Sequence, residues 1–276
     1  MKKKKASRLF LYFFCFVFCV GVLYPYFVMI VNSFKSLNNI FKIPPTILPE
    51  EWHFENYVNI WKDIPLLTYF RNSLIVAVGS TILCIVCAVP AGYAMARMKF
   101  PGKKTLMSCI IVTQMFSTVV LLVGIFKLMV AMGLNNSLLG IILLVAAFNQ
   151  AFASWMLSGT FRSISFELEE AALIDGCGRF KAMTRVVLPL AAPGIVTAVI
   201  FVFLNAWNEY TLSLVLISDQ NLKPLNIGIR SFFGYTNTEW HYVFAASLLA
   251  TLPMLFFFQF LERHLMGGLT AGGVKG

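Results

Sequence analysis

Charged side chains are scarce in this sequence. Asp, Glu, Lys and Arg make up 12% of the 276 residues, whereas hydrophobic residues make up 59%. A soluble globular domain carries about a quarter charged residues, so the composition excludes an ordinary soluble protein. Apolar runs of about 20 residues take the place of the missing charges, and they predict a chain embedded in a lipid membrane.

Motifs for several kinds of chemistry are also missing. His53, His241 and His264 lie far apart without the spacing of metal ligands, and the six Cys do not form a disulfide framework. No set of nucleophile and base indicates an enzyme, and no G-x-x-x-x-G-K-[ST] loop for phosphate occurs. The net charge of +10 comes without a stripe of basic and aromatic residues. We therefore predict no catalytic residue, no metal and no nucleic-acid partner.

Six apolar segments are long enough to cross about 30 Å of hydrocarbon as helices, which takes roughly 20 residues each. The first resembles a signal peptide, but it is longer than the apolar part of one and no small-residue cleavage site follows. We predict an all-α membrane protein, with one transmembrane domain over residues 1–276 and a loop at 161–188. The six spans are predicted at residues 9–31, 72–96, 105–126, 138–158, 190–216 and 241–261.

The basic residues are distributed unequally along these spans. Of the 22 Lys and Arg, fifteen fall on the side of the membrane that holds the N-terminus and seven fall on the other side. Cytoplasmic loops carry the excess of Lys and Arg, so both termini and the loop at 161–188 are predicted to be cytoplasmic. The segment 32–70, which contains "IPPTILPEEW", is then an extracytoplasmic loop with short helices.

The loop at 161–188 concentrates charge in an otherwise apolar chain. It contains Glu167, Glu169 and Glu170, followed by the small residues Ala171 and Ala172. Three carboxylates are poorly suited to rest on anionic lipid headgroups, and small residues permit close approach to a solid surface. The composition therefore favours a protein partner for this loop.

The same loop predicts two short helices joined by a glycine turn. Ser163 or Ser165 can cap the first helix, whose early carboxylates suit the positive end of the helix dipole. Gly176 in "DGCG" provides a left-handed stop, and a second helix is predicted from Arg179 toward Pro189.

This loop also resembles a known motif of Glu-Ala-Ala, three residues, Gly, nine residues, a branched aliphatic residue, one residue and Leu-Pro. The segments "PAGYAMARMKFPGK", "AWNEY" and "GGLTAGGVKG" extend the resemblance over nearly the whole chain. The chain resembles the permease subunits of ABC importers of the carbohydrate-uptake (maltose-type) family, in particular the smaller six-helix permease. The motif is carried by Glu170, Ala171, Ala172, Gly176, Val186, Leu188 and Pro189.

The resemblance implies that the loop contains a coupling helix that docks in a cleft of a cytoplasmic ATPase. Glu170 would meet a basic residue of the ATPase, and Gly176 would shape the turn. Ala171, Ala172 and Asp175 are implied to belong to the same docking surface.

The resemblance implies further partners and a location. The chain would lie in a bacterial cytoplasmic (inner) membrane with a second permease subunit, two copies of the ATPase and an extracytoplasmic solute-binding protein. ATP and Mg would bind to the ATPase, and no cofactor is expected in this chain. The tail residues Gly272, Gly273 and Lys275 would contact the ATPase. The implied function is the import of a sugar or oligosaccharide by alternating access.

Polar residues inside the predicted spans are candidates for a substrate pathway, since an ionisable group in a membrane costs about 3 kcal/mol. In the fifth span, amide and carboxylate groups lie beside an aromatic ring, which suits sugar binding. These side chains can instead bond a neighbouring helix, and the sequence leaves both roles open. The candidates are Asn205, Asn208, Glu209, Tyr210, Gln114 and Gln150.

Two alternatives to a sugar importer subunit remain open from the sequence. A self-contained secondary carrier or channel would explain the spans and Glu209, but it would leave the motif that begins at Glu170 unexplained. The second alternative is an ABC importer subunit for a non-sugar solute, such as a phosphorylated polyol.

Overall fold

The structure is a computed structural model that describes residues 2–234 and 238–271, with side chains described at 11–110, 112–234 and 238–259. Within these ranges the chain is helical and contains no strand, apart from an isolated bridge between Phe233 and Thr238. The all-α fold predicted from the sequence is confirmed. The helices are α1 Lys2–Ser33, α2 Leu37–Ile40, α3 Asn56–Asp63, α4 Leu66–Arg97, α5 Lys103–Thr113, α6 Thr118–Ala131, α7 Leu138–Ser163, α8 Phe166–Ile174, α9 Arg179–Ala182, α10 Leu188–Trp207, α11 Thr211–Leu216, α12 Leu225–Ile229 and α13 Trp240–Ala271.

Among the described residues, five segments are long and apolar enough to cross a membrane. A shorter apolar helix, α6, accompanies them. The five segments are Leu11–Ser33, Leu66–Arg97, Leu138–Ser163, Arg179–Trp207 and Trp240–Gln259.

Two of the predicted spans contain a break in the helix. Residues 105–126 are not one helix, because α5 ends at Thr113 and α6 begins at Thr118. Residues 190–216 are likewise interrupted, since α10 ends at Trp207 and α11 begins at Thr211. Polar residues occupy both breaks.

Local hydrogen bonds explain why the helices stop there. The Thr113 hydroxyl donates to Ile110 O at 2.7 Å, and Ser117 has extended backbone with φ −68° and ψ 132°. In the second break, Leu212 N donates to Glu209 Oε1 at 2.6 Å, which caps the start of α11. Short polar side chains compete with helical hydrogen bonds in this way. Irregular backbone at membrane depth is tolerated where it lines a cavity.

The chain divides into two compact units, of which the first comprises residues 1–66 and 228–252. Its loop after α1 is ordered around Phe34, whose ring centroid lies 5.2 Å from that of Tyr57. The buried Asn56 amide donates to Ser33 O at 2.9 Å and to Lys35 O at 3.1 Å. The predicted short helices of this loop are α2 and α3.

The second unit comprises residues 67–227 and 253–276, and its core lies where α4, α7 and α10 pack together. Small residues allow the close approach: a Cβ added to Gly92 on α4 would lie 2.9 Å from Leu157 Cβ on α7. Near the end of α7, the buried Phe161 ring meets Tyr93 edge to face, with centroids 6.0 Å apart. The buried residues of this core are Cys84, Ala88, Tyr93, Ala146, Ala153, Leu157, Phe161, Met183, Val187, Ala191, Ala198 and Val202.

Candidate functional site

The charged loop folds into the predicted helix, glycine turn and helix. Ser165 is the N-cap of α8, and its hydroxyl accepts a hydrogen bond from Glu167 N at 3.3 Å. After α8, Gly176 adopts φ +83°, and Cys177 N donates to Ala172 O at 3.0 Å. This is the hydrogen bond of a left-handed helix stop, for which glycine is favoured because it lacks a Cβ.

The second helix of the loop continues into a long apolar helix through a wide turn. Residues Met183–Val187 form a π-helical turn between α9 and α10, and Leu188 N donates to Met183 O. Pro189 follows, and it has no N–H to donate back to Arg185 O. The wider turn places the proline at the start of α10, so the Leu-Pro pair of the motif marks the junction between the loop and the membrane helix.

The predicted docking residues mostly lie on the outside of the chain. Glu170, Ala171, Asp175 and Gly176 are exposed, whereas Ala172 is buried beneath α8. Large apolar side chains are exposed next to them, with Ile174 86% and Phe180 74% exposed. The outer surface of the loop therefore combines a carboxylate with exposed apolar side chains.

Glu169 is buried, whereas Glu167 and Glu170 on the same helix are exposed. Its side chain is only 4% exposed and lies against the C-terminal end of α4. The Tyr93 hydroxyl donates to Glu169 Oε1, and Arg97 Nε lies 3.0 Å from Glu169 Oε2. The last two atoms are at ion-pair distance without hydrogen-bond alignment.

Arg97 makes further contacts with the start of the loop. Its Nη2 donates to Ile164 O at 2.8 Å, and its guanidinium lies 5.5 Å from the centre of the Phe166 ring. Arg162, in the last turn of α7, donates from Nη2 to Met95 O on α4 at 3.3 Å. These contacts join the end of α4 to the α7–α8 junction.

Sequence reasoning missed this cluster of Tyr93, Arg97 and Glu169, although one pattern could have indicated it. Glu169 and Ala172 are three residues apart, and they are the two buried residues of α8. A carboxylate on the apolar face of a short helix requires a buried partner. The chain position of that partner, on α4, is not encoded in the loop.

Three of the predicted pathway residues meet at a polar cavity of about 260 Å³ in the second unit. Gln114 lies in the break between α5 and α6, Asn205 near the end of α10, and Glu209 in the break before α11. Asn149 of α7 adds a third amide. The remaining lining residues are Thr113, Phe116, Thr118, Val145, Phe148, Phe201 and Leu212.

The polar groups of this cavity are held by local hydrogen bonds. Asn205 Nδ2 donates to Phe201 O at 2.9 Å, and Asn149 Nδ2 donates to Val145 O at 2.9 Å. A side-chain amide offers two donor hydrogens and an acceptor oxygen, and each of these bonds uses one donor. Glu209 caps α11 with Oε1, so its second oxygen is left to face the cavity. Together with the amides and the aromatic rings of the lining, this oxygen makes the cavity suited to a polar, uncharged ligand.

Gln150 bonds to a neighbouring helix rather than lining this cavity. In the orientation that satisfies both ends of its amide, it donates to Cys84 O at 3.0 Å and accepts from Ala88 N at 3.0 Å. These two backbone atoms are the ends of one hydrogen bond of α4. Ser154 Oγ lies 3.1 Å from the same amide. Gln150 also lines a larger apolar groove formed by α4, α5, α6 and α7.

The other predicted candidates lie apart from the polar cavity or outside the described residues. Asn208 is exposed and donates to Leu204 O at 2.9 Å, and Tyr210 is half-buried at the start of α11. Gly272, Gly273 and Lys275 of the tail lie outside the residues that the structure describes. Within the described part of the chain, no group of three or more His, Cys, Asp and Glu could hold a metal ion.

Comparison with known sequences shows what this chain is similar to. Residues 88–269 match the family described as "Binding-protein-dependent transport system inner membrane component". The chain is 34% identical over 276 residues to the inner membrane ABC transporter permease protein YcjP of Escherichia coli (strain K12), and the match covers 99% of both chains. It is 36% identical over 260 residues to the sulfoquinovosyl glycerol transport system permease protein SmoH of Agrobacterium fabrum, covering 94% of this chain and 91% of that protein.

A solved structure shares the fold. One chain in the crystal structure of a bacterial ABC transporter involved in the import of the acidic polysaccharide alginate superposes with a TM-score of 0.81 and 21% sequence identity. The match covers 95% of this chain and 98% of that chain.

Proposed function

This chain belongs to the family of binding-protein-dependent transport system inner membrane components, and we propose that it is a permease subunit that imports a sugar or oligosaccharide by alternating access. It is a transport subunit of an ABC importer and not an enzyme. The observation that carries the proposal is the outward-facing helix α8, which presents Glu170 and Ala171 on the surface of the chain. Residues 1–276 would act as one transmembrane domain.

The docking surface on α8 and the following turn fits a protein partner. Ile174 and Phe180 expose apolar side chains beside the exposed Glu170 carboxylate. Protein interfaces typically combine an apolar centre with charged groups that fix the orientation. The proposed partner is a cytoplasmic ATPase subunit present in two copies, with ATP and Mg bound to it. Its cleft would contain a basic group opposite Glu170, and Asp175 and Gly176 would complete the contact.

The proposed importer also needs a second permease and a solute-binding protein. On α1, side chains such as Phe13, Phe16 and Leu23 are more than half exposed, so this helix offers an apolar face to lipid or to another membrane subunit. The family description itself names a binding protein. That protein would deliver the ligand on the extracytoplasmic side, and the tail with Gly272, Gly273 and Lys275 would contact the ATPase.

The polar cavity supports the proposed ligand class. Amides from Gln114, Asn149 and Asn205 and the Glu209 carboxylate can bond sugar hydroxyls, while Phe148 and other aromatic rings can contact C–H surfaces. Among the described residues that line the cavity, none is Lys or Arg. A phosphorylated polyol would bring its negative charge near Glu209 without a compensating cation, so a neutral sugar fits this cavity better.

Copurification tests the importer assignment against a self-contained carrier. The tagged chain, expressed with its own neighbouring genes and solubilised in mild detergent, is expected to bring down an ATPase and a second permease. A secondary carrier would explain the apolar helices and Glu209, but it has no use for an outward-facing α8. Recovery of the chain alone, with uptake that continues without ATP, would support the carrier instead.

The proposed orientation places both termini and α8 on the cytoplasmic side. It rests on the excess of Lys and Arg in the N-terminal segment, in residues 97–104 and in the loop at 161–188. Alkaline phosphatase and fluorescent-protein fusions are expected to report a cytoplasmic location after Arg263 and within 97–104, and an external location near Glu50. A fusion after Arg263 that reads external would contradict an even number of spans.

A further inference from the structure

The loop that carries α8 is attached to the membrane helix α4 by a buried ionic cluster. The side chains of Arg97 and Glu169 are 9% and 4% exposed, and Nε and Oε2 are 3.0 Å apart. Tyr93, one turn before Arg97, donates its hydroxyl hydrogen to the other carboxylate oxygen of Glu169. Both oxygens of Glu169 therefore face α4.

A buried ion pair is a poor way to gain stability, because well-packed apolar side chains stabilise an interface at least as well. Its particular property is that separation of the partners leaves an unpaired charge in an apolar surrounding, which is strongly unfavourable. The contact between Arg97 and Glu169 therefore resists separation more strongly than a contact between apolar side chains, which can slide past each other. The contact makes α8 and the end of α4 move as one body.

The contacts of Arg97 also hold the junction between α7 and α8. Between α7 and α8 the backbone is extended, with φ −83° and ψ 132° at Ile164, and nothing helical joins the two helices there. Arg97 bonds to Ile164 O at 2.8 Å, and its guanidinium lies over the Phe166 ring. Displacement of α8 is thus not absorbed at this junction but is passed to α4.

Helix α4 has a weak point one to three turns before the residues that contact Glu169. Pro90 lies inside the helix and cannot donate to Val86 O. The Gln150 amide bonds to Cys84 O and Ala88 N, so these backbone groups have an alternative to their helical hydrogen bond. Helices kink where a proline or an inserted side chain interrupts the hydrogen-bond ladder. The cytoplasmic part of α4 can therefore bend relative to the remainder.

From this arrangement we propose that Glu169, Arg97 and Tyr93 form the mechanical linkage that transmits the movement of α8 to α4. The three are positioning residues, since they touch neither the ligand nor ATP. The inference rests on the proposed function of α8 as the docking helix. In it, Glu170 receives the movement from the ATPase on the outer face of α8, and Glu169 passes it inward to the membrane domain.

The test uses the complete importer reconstituted in lipid nanodiscs with its ATPase, second permease and binding protein. For Glu169→Gln and Arg97→Gln, we expect stimulation of ATP hydrolysis by liganded binding protein to fall by about fivefold or more, because each leaves a buried partner unpaired. Basal hydrolysis per assembled complex is expected to stay near that of the parent. Tyr93→Phe removes one hydrogen bond and is expected to lower the stimulation about twofold to threefold.

Lys99→Gln is the matched control for Arg97→Gln. It removes a positive charge two residues further along, from an exposed position. It is expected to leave stimulated hydrolysis and assembly at the level of the parent. A loss equal to that of Arg97→Gln would show that the charge of this segment matters instead of the buried contact, and it would overturn the linkage.

A distance measurement separates transmission from simple stabilisation. Spin labels at the exposed positions Met98, after α4, and Leu168, on α8, are introduced in a background whose native Cys are replaced. In the parent, the distance between the labels should be the same in the nucleotide-free and ATP-bound complexes. In Glu169→Gln it should broaden or change on ATP binding, because α8 then moves without α4.

Several results would overturn the linkage. One is parent-like stimulation with a constant label distance in Glu169→Gln. Another is a reduced yield of complexes that each retain the stimulation of the parent, which would assign the cluster to folding only. If Glu169→Gln does not assemble, Tyr93→Phe decides, and unchanged stimulation there counts against the linkage. Parent-like stimulation in Glu170→Lys would instead show that α8 is not the docking helix, so the two failures are distinguishable.

Discussion

Glu170→Lys is expected to abolish transport and the stimulation of ATP hydrolysis by liganded binding protein, while the binding protein still captures its ligand. The Glu170 side chain is exposed on α8, so the substitution does not disturb the packing of this chain. A charge-assisted contact with a basic group is worth about 1.5 to 3 kcal/mol, which is roughly tenfold to a hundredfold in affinity. A lysine at this position would also repel the basic group, so Glu170→Lys should reduce transport more than Glu170→Ala. Hydrolysis and vesicle uptake measured on reconstituted complexes check the prediction.

Two companion variants show whether the position matters or only the charge. Glu170→Asp keeps the carboxylate and is expected to retain part of the stimulation. Glu167→Lys makes the same change of charge one turn earlier on α8, outside the resembling motif, and is expected to lose less than Glu170→Lys. If Glu170→Lys responds to liganded binding protein as the parent does, α8 is not the coupling element.

Glu209→Ala and Asn205→Ala are expected to lower uptake about tenfold each, because each removes hydrogen-bonding groups from the walls of the polar cavity. Glu209→Gln should have an intermediate effect, since its amide oxygen can still accept from Leu212 N and cap α11. Radiolabelled uptake at several ligand concentrations measures the loss. The amount of assembled complex, determined in parallel, should remain close to that of the parent.

Thr197→Ala serves as the control for the cavity variants. Thr197 is an exposed polar residue of the same helix α10, its hydroxyl donates to Pro193 O at 3.0 Å, and it lies outside the cavity. Uptake should be unaffected in Thr197→Ala. Normal uptake in both Asn205→Ala and Glu209→Ala would show that the polar groups serve helix packing only.

The features that could be predicted from the sequence are those set by neighbouring residues. The apolar runs required membrane helices, because each can satisfy its backbone hydrogen bonds internally. The serine cap, the early carboxylates and Gly176 lie within about twelve residues of each other, and α8 with its left-handed stop follows from them. The family resemblance was carried by the same loop, and the comparisons confirm it.

The breaks in two spans show the limit of hydropathy. The run at 105–126 contains no charge, and its average apolar character predicts one helix. The structure ends α5 at Thr113 and starts α6 at Thr118. Whether a polar residue in a membrane segment bonds along its helix or ends it depends on the cavity available beside it, which a sequence average does not contain. The same reason explains why Glu209 lies between two helices rather than on the face of one.

By itself the sequence determined that this chain is an α-helical membrane protein with a charged loop of helix, glycine turn and helix, since composition, periodicity and turn chemistry act over a few residues. Only the tertiary structure decided that, of Glu167, Glu169 and Glu170, Glu169 is the buried carboxylate. Glu169 meets Tyr93 at a separation of 76 residues along the chain, so its partner is set by the packing of α8 against α4. In the same way, Gln114, Asn149, Asn205 and Glu209 come from different helices and breaks, and they form one cavity because the core of α4, α7 and α10 holds those elements together.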